Sequence, residues 1–236
     1  MKKSFLLIAV LLMFGSSVFA QDLDLGVKIG YQTPKLSYKQ AEIKSSFQNH
    51  MTFGIFGRVE LGMLYVQPEI LYFKTDNIFS LDMANTSEGW TSPSGQVTFT
   101  LNEANLQIPV LVGVRFLDLG VATLRAQAGP TANFTLGSTT LFDKEFTLVN
   151  NDGDEHTVGD VDDPEVFDTK TIAWGMQAGI GADILGKITV DINYNFGLSK
   201  VFGALNNTSL NNYFDFSNID DTKQSLFMVT VGYKFL

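Results

Sequence analysis

Two histidines, His50 and His156, are the residues best suited to acid–base chemistry in this sequence. His50 comes just before a segment of alternating apolar and polar residues, where it could serve as a general base at the end of a strand. No nucleophile motif lies near it, so a solvated loop histidine is the alternative. The chain has no cysteine, which excludes thiolate nucleophiles and thiolate metal sites. We therefore predict that the protein is not an enzyme, with no catalytic residue and no cofactor.

Carboxylates are concentrated in one polar segment of the chain. The acidic residues of this segment are Asp152, Asp154, Glu155, Asp160, Asp162, Asp163, Glu165 and Asp168. The spacing of Asn150, Asp152 and Asp154 imitates the start of a calcium-binding loop, although the later glycine and the closing glutamate are missing. Asp152, Asp154 and Glu155 are therefore candidate metal ligands. A solvated acidic loop that binds no ion is the alternative.

The elements that would position these residues are strands. Between Ile188 and Ser199, apolar residues alternate strictly with polar residues or glycine. The same alternation occurs in eight segments, at 23–32, 51–61, 63–74, 103–116, 121–136, 171–184, 188–199 and 227–235. The links between them are alternately short (61–63, 117–120, 185–187) and long (33–50, 75–102, 137–170, 199–224). This pattern predicts an all-β fold: an eight-stranded antiparallel up-and-down transmembrane β-barrel with short periplasmic turns and four long external loops.

Aromatic residues on the apolar face support a barrel that spans a membrane. Toward the long-loop end fall Tyr31, Phe53, Tyr72, Phe134, Trp174, Phe196 and Phe227, and toward the other end fall Phe116, Tyr233 and Phe235. Two aromatic belts are expected where a barrel crosses the two lipid–water boundaries. A soluble β-sandwich also alternates, but it has no reason to sort aromatic residues by strand end.

The first twenty residues are predicted to be a cleaved signal peptide. Lys2 and Lys3 precede an apolar run from Phe5 to Phe14, and small residues then lead to a cleavage site before Gln21. The expected domains are thus a signal peptide at 1–20 and an outer-membrane barrel at 21–236. Loss of the two lysines moves the formal charge from −9 to −11, which excludes nucleic acid as a partner.

Ten charged residues are predicted to face the barrel interior as a lumen charge network. They are the basic Lys28, Arg58, Arg115, Arg125 and Lys234 and the acidic Asp24, Glu60, Glu69, Asp183 and Asp191. The interior of an eight-stranded barrel is only about wide enough for its own side chains. We expect these charges to neutralise one another and close the lumen, with Glu69 within reach of Arg58. A gated polar channel is the alternative.

Three short segments resemble the PorT-like family of outer-membrane β-barrels, whose members are often labelled porin family proteins. The segments are Gln67–Tyr72 on the third predicted strand, Leu106–Leu111 on the fourth and Gly232–Phe235 at the end of the last. The similarity extends over essentially all of the mature chain, and its motifs look like barrel-building residues with proline on the outer face. The resemblance implies an outer-membrane location and an eight-stranded fold. Some relatives are linked to protein secretion and gliding machinery.

We expect a structural or interaction role for external loops carried by a closed barrel. The second and fourth loops contain the aromatic residues that partner contacts use, namely Phe79, Trp90, Phe202, Tyr213, Phe214 and Phe216. The expected partners are outer-membrane lipid and lipopolysaccharide, with a protein or a surface polysaccharide at the external loops. Passive passage of small solutes is the first alternative, and lipid modification is the second.

Overall fold

The computed structural model describes residues 23–37, 44–47, 50–82, 96–142, 146–149, 155–158, 171–199 and 223–236. Its strands are β1 (Leu23–Ser37), β2 (Lys44–Phe47), β3 (His50–Leu61), β4 (Leu64–Asp82), β5 (Gln96–Asp118), β6 (Ala122–Phe142), β7 (Phe146–Val149), β8 (Glu155–Val158), β9 (Ile172–Ile184), β10 (Ile188–Gly197) and β11 (Lys223–Lys234). Within these ranges the structure contains no helix long and apolar enough to cross a membrane.

Eight of the strands close into one antiparallel barrel. Around the wall the order is β1, β3, β4, β5, β6, β9, β10 and β11, and β11 pairs with β1 to complete the circle. Each barrel strand thus pairs with the barrel strands before and after it in the chain. The predicted eight-stranded up-and-down barrel is confirmed.

Tight turns join the strands at one end of the barrel. Gly62, Gly120 and Gly186 have positive φ values of 64°, 79° and 69°, a conformation that glycine adopts without steric cost. These turns occupy the three links that the sequence analysis identified as short. The other end of the barrel is called the external end below.

Five strands extend four or more residues beyond the predicted segments, and the three longest extensions are on neighbouring strands at the external end. The predicted segments 63–74, 103–116 and 121–136 correspond to β4, β5 and β6, which continue to Asp82, begin at Gln96 and continue to Phe142. Period-two alternation is absent from the β6 extension, but the β5 extension does alternate, with Val97, Phe99 and Leu101 between polar residues. The short strands β2, β7 and β8 also lie in segments predicted to be loops.

The two faces of the wall differ as the alternation predicts. Outward aliphatic residues such as Ile55, Ile180 and Val231 are 54%, 59% and 47% exposed, while inward residues of the same strands, such as Phe56, Asp183 and Thr230, are buried. Outward aromatic residues lie near both ends: Phe53 and Tyr72 face each other across β3 and β4 near the external end, and Phe116 and Tyr233 lie near the turns. A hydrophobic outer band with aromatic residues at its borders is the surface that lipid requires.

The expectation that proline lies on the outer face is wrong for one of the two prolines in the resembling segments. Pro68 on β4 is exposed, but Pro109 on β5 is buried with the inward residues. The regular β4–β5 pairing is interrupted between Pro68↔Val110 and Leu71↔Gln107. Because proline has no N–H to donate, Pro109 fits at this interruption on either face.

Candidate functional site

The ten charged residues predicted to face inward all point into the barrel near its turn end. Arg58, Arg125 and Asp191 are fully buried, and Lys28 and Glu69 are 3% and 2% exposed. At the opening of the barrel nearest the turns, the side chains of Asp24 and Arg115 are 18% and 34% exposed. Charges buried this deeply are tolerated only when partners and hydrogen bonds compensate them.

Arg125 on β6 is the centre of this site. Its Nε lies 3.2 Å from Asp183 Oδ1, and its Nη2 forms an ion pair with Asp191. Its Nη1 donates hydrogen bonds to Tyr65 Oη at 3.2 Å and to Gln127 Oε1 at 3.0 Å. The guanidinium therefore connects strands on opposite sides of the barrel.

Arg58 on β3 makes a second connection across the lumen. Its Nη1 lies 2.5 Å from Asp183 Oδ2, and its Nε donates to Gln67 Oε1 at 2.6 Å. The expectation that Glu69 would serve Arg58 is wrong, because Glu69 lies 2.6 Å from Lys28 Nζ instead. Glu69 lies diagonal to Arg58 as expected, since Phe56 is the residue of β3 that pairs with Glu69, but Lys28 reaches its carboxylate from β1.

The remaining charges connect to these two arginines. Lys28 Nζ also lies 2.7 Å from Asp191 Oδ2, and Lys234 Nζ lies 2.8 Å from Asp24 Oδ2. Arg115 Nη1 lies 2.5 Å from Glu60 Oε2. Weaker contacts of 3.8 Å join Arg58 to Asp24 and to Glu60. All ten residues thus form one connected set of ion pairs, which we call the charge network.

Two uncharged residues, Tyr65 and Gly113, complete the network. The Tyr65 ring lies 4.9 Å from the Arg58 guanidinium and 5.8 Å from that of Arg125, so it fills the space between two like charges. Gly113 makes room for this ring, because a Cβ at that position would overlap it. Alternation alone places Tyr65 inside the barrel, but it does not indicate which residues the ring contacts across the lumen.

The candidate base His50 has a structural contact at the external end of β3. Its Nε2 accepts a hydrogen bond from the Asp76 backbone N–H at 3.0 Å, which links β3 to β4. This bond occupies the lone pair that a general base would use. His156 belongs to β8, and its side chain lies outside the described residues.

The candidate calcium ligands are not placed by the structure. Asp152 and Asp154 lie outside the described residues, and only the backbone of Glu155 is described, in β8. Across the described ranges, no group of three or more histidine or acidic side chains is arranged to hold a metal ion. The calcium site therefore stays a prediction from the sequence.

The chain was compared with known families and solved structures. At 12% identity it is similar to Ail of Yersinia pestis, solved with the heparin analogue sucrose octasulfate (TM-score 0.44, covering 91% of this chain and 99% of that chain). It is also similar, again at 12% identity, to OprG of Pseudomonas aeruginosa (TM-score 0.45, covering 91% and 97%) and to Neisserial surface protein A (TM-score 0.42, covering 89% and 97%). Likenesses this distant assign no function.

No curated protein matches the chain. The family model described as outer membrane protein beta-barrel domain matches residues 19–203, which is most of the sequence. The chain therefore belongs to the family of outer membrane protein β-barrel domains and is a small outer-membrane barrel.

Proposed function

We propose that this protein is a closed barrel with a structural or interaction role at the outer-membrane surface. The charge network is the observation that carries the proposal. It fills the turn-end part of the interior with side chains that are buried, paired and held from opposite walls, such as Arg125 of β6 between Tyr65 of β4 and Asp191 of β10. A lumen closed in this way leaves the external side of the barrel as the part available for function.

The longer strands supply an external surface for such a role. Beyond Tyr72, at the outer aromatic border, β4 continues to Asp82, which adds about 30 Å of strand at roughly 3.3 Å per residue. β5 and β6 extend beside it, and β2 pairs with its far part through Lys44↔Ser80 and Phe47↔Asn77. A sheet that projects beyond the membrane is a rigid platform for contacts with a partner.

The chemistry of the segment that follows this sheet favours a partner with a basic surface. Residues 143–170 contain ten acidic and two basic residues. A negatively charged segment attracts positively charged partners and repels negatively charged ones. We therefore infer that the partner is a protein with a positively charged face.

Cross-linking in intact cells tests the interaction role. A photoreactive residue at Leu136, which is 60% exposed on the projecting part of β6, should give a discrete protein adduct. The same residue at Leu119, 59% exposed at the turn end, is the matched control and should not give that adduct. Replacing Asp160, Asp162 and Asp163 with asparagine should weaken the adduct. Adducts to lipid alone, or the same adduct from both sites, would contradict the proposal.

Two other functions have less support. Passive passage of small solutes needs an open path, and the charge network lies across that path. Lipid modification needs a free base, and the candidate His50 uses its Nε2 to bind the backbone of Asp76. The closed barrel therefore accounts better for the described residues than either alternative.

We also propose a placement among PorT-like relatives, with export by a signal peptide cleaved before Gln21. The resembling segments support this placement, because they lie on β4, β5 and β11 of the barrel wall. Mass spectrometry of the protein purified from outer membranes should find Gln21 as the first residue. Recovery of the chain with Met1 intact would contradict the proposed export.

A further inference from the structure

The interior changes character toward the external end. Gln32 on β1, Gln107 on β5 and Gln177 on β9 also face the lumen. Each lies nearer the external end than the charged residue of its strand, which is Lys28, Arg115 or Asp183. These three strands are spaced around the wall, since two strands separate β1 from β5, one separates β5 from β9 and two separate β9 from β1. We call Gln32, Gln107 and Gln177 the amide ring.

The amide ring has hydrogen-bonding groups without partners. Gln107 and Gln177 are fully buried and Gln32 is 1% exposed, yet neither the Nε2 nor the Oε1 of any of the three has a hydrogen-bond partner. Gln127, an inward glutamine of the charge network, instead bonds Tyr65, Arg125 and Asn193. Because buried polar groups in native proteins are nearly always paired, three carboxamides that the chain itself leaves unpaired in one part of a barrel are suited to partners from outside the chain.

The wall beside the amide ring supplies a second kind of surface. On β4 the buried inward residues are Leu71 and Phe73, and on β11 they are Leu226 and Met228. The arc formed by β5, β6, β9 and β10 is mainly polar, with Asn105, Gln107, Thr131, Gln177 and Asn195 buried and facing inward, and Pro109 and Leu111 are its apolar members on β5. The part of the lumen near the external end therefore has an amide side and an apolar side that includes an aromatic ring.

This combination selects one class of ligand by chemistry. A hydrocarbon would leave the carboxamides unpaired, and an ion would find no formal charge in the amide ring to balance it. A neutral solute rich in hydroxyl groups offers donors and acceptors to the amides, and its C–H surface can pack against Leu71 and Phe73. Saccharides have both properties.

We propose that the external part of the lumen is a blind binding cup for a neutral saccharide, with the amide ring as its hydrogen-bonding wall and the charge network as its floor. Lys28 and Glu69 belong to that floor and are paired with each other at 2.6 Å. Since the three carboxamides are enclosed, a ligand reaches them from the external end as the side chains above them rearrange. The cup is independent of any protein partner at the projecting sheet.

Side-chain amide NMR of the full refolded chain in detergent micelles tests the cup, with maltose as the probe. Maltose should shift the Nε2–H signals of Gln32, Gln107 and Gln177 saturably, and those of Gln127 should stay in place. Glycine betaine, a neutral solute without hydroxyl groups, is the control and should shift none of them. Equal shifts with both solutes, or no saturable shift up to the solubility limit of maltose, would overturn the proposal.

A double variant separates binding from folding. Gln107→Leu with Gln177→Leu removes two unpaired amides at nearly constant volume, so the barrel should still fold and should keep its heat-modifiable gel mobility. The maltose-dependent shift of Gln32 should then weaken at least tenfold in apparent affinity. If the double variant fails to fold, the single variant Gln32→Leu replaces it, with Gln107 and Gln177 as reporters. An unchanged maltose response in a folded variant would also overturn the cup.

Discussion

The two ends of the barrel interior are built from similar lengths of strand but satisfy their polar groups differently. At the turn end, the charge network and the glutamines beside it, Gln67 and Gln127, are bonded from several strands. At the external end, the side-chain amides of Gln107 and Gln177 are equally buried but have no hydrogen-bond partner, although Asn105 and Asn195 nearby are bonded to Thr75 and Thr131. The comparison indicates that the turn end holds the barrel together and shut, whereas the external end is left able to accept other partners.

The largest effect expected is from removing the central arginine. Arg125→Ala leaves Asp183 and Asp191 buried with one cationic partner fewer, and we expect it to lower the free energy of unfolding by about 3 to 5 kcal/mol. Urea unfolding in lipid vesicles measures this loss. Arg115→Ala is the matched control: its pair with Glu60 lies partly in solvent, so about 1 kcal/mol or less is expected. Equal losses for the two variants would break the distinction between a buried centre and an exposed mouth.

A second prediction concerns the outward face of the same wall. Ile192 on β10 is 43% exposed between the two aromatic borders, so Ile192→Arg should lower the free energy of unfolding by about 2 to 4 kcal/mol. Leu198 lies on the same side of the chain beyond Phe196, and Leu198→Arg should cost about 1 kcal/mol or less because the arginine reaches water. The same urea experiment compares them. Similar costs at both depths would mean that this face is not in contact with lipid.

The smallest stability effect sharpens the comparison between the two ends. Gln127→Leu removes an amide with three bonded neighbours and should cost about 1 to 3 kcal/mol, since Tyr65, Arg125 and Asn193 each lose a partner. Gln107→Leu removes an amide without partners, so its stability should stay within about 0.5 kcal/mol of wild type or rise. Thermal or urea unfolding of both variants decides this. A larger loss for Gln107→Leu would show that the external end is as tightly bonded as the turn end.

Alternation in the sequence was sufficient to predict the barrel and to predict which side chains face inward, because each strand had to separate a lipid face from a lumen face. It could not predict which charges pair, as the misassigned Glu69 shows. Lys28 reaches Glu69 from β1, on the far side of β3, and Arg58 reaches Asp183 across the lumen. Such contacts depend on the stagger of the closed sheet, which no local pattern encodes.

The extensions of β4, β5 and β6 were missed for two different reasons. The β6 extension, with Thr139 and Thr140, has no apolar face to reveal it, whereas Val97, Phe99 and Leu101 of β5 do alternate with polar residues inside a segment that was predicted to be a loop. The unpaired amides were equally invisible, because a glutamine at an inward position has the same sequence signal with or without a partner. Gln107 and Gln127 differ only in their three-dimensional surroundings, which leave the first amide unpaired and give the second three partners.

Single-channel recording in planar bilayers tests the central claim most directly, because a barrel closed by its charge network cannot conduct steadily. The refolded wild-type chain should give no steady porin-like current. Arg125→Ala, which removes the centre of the network, should give brief openings under the same voltage. A stable, ion-selective current from the wild-type barrel would contradict the closed lumen.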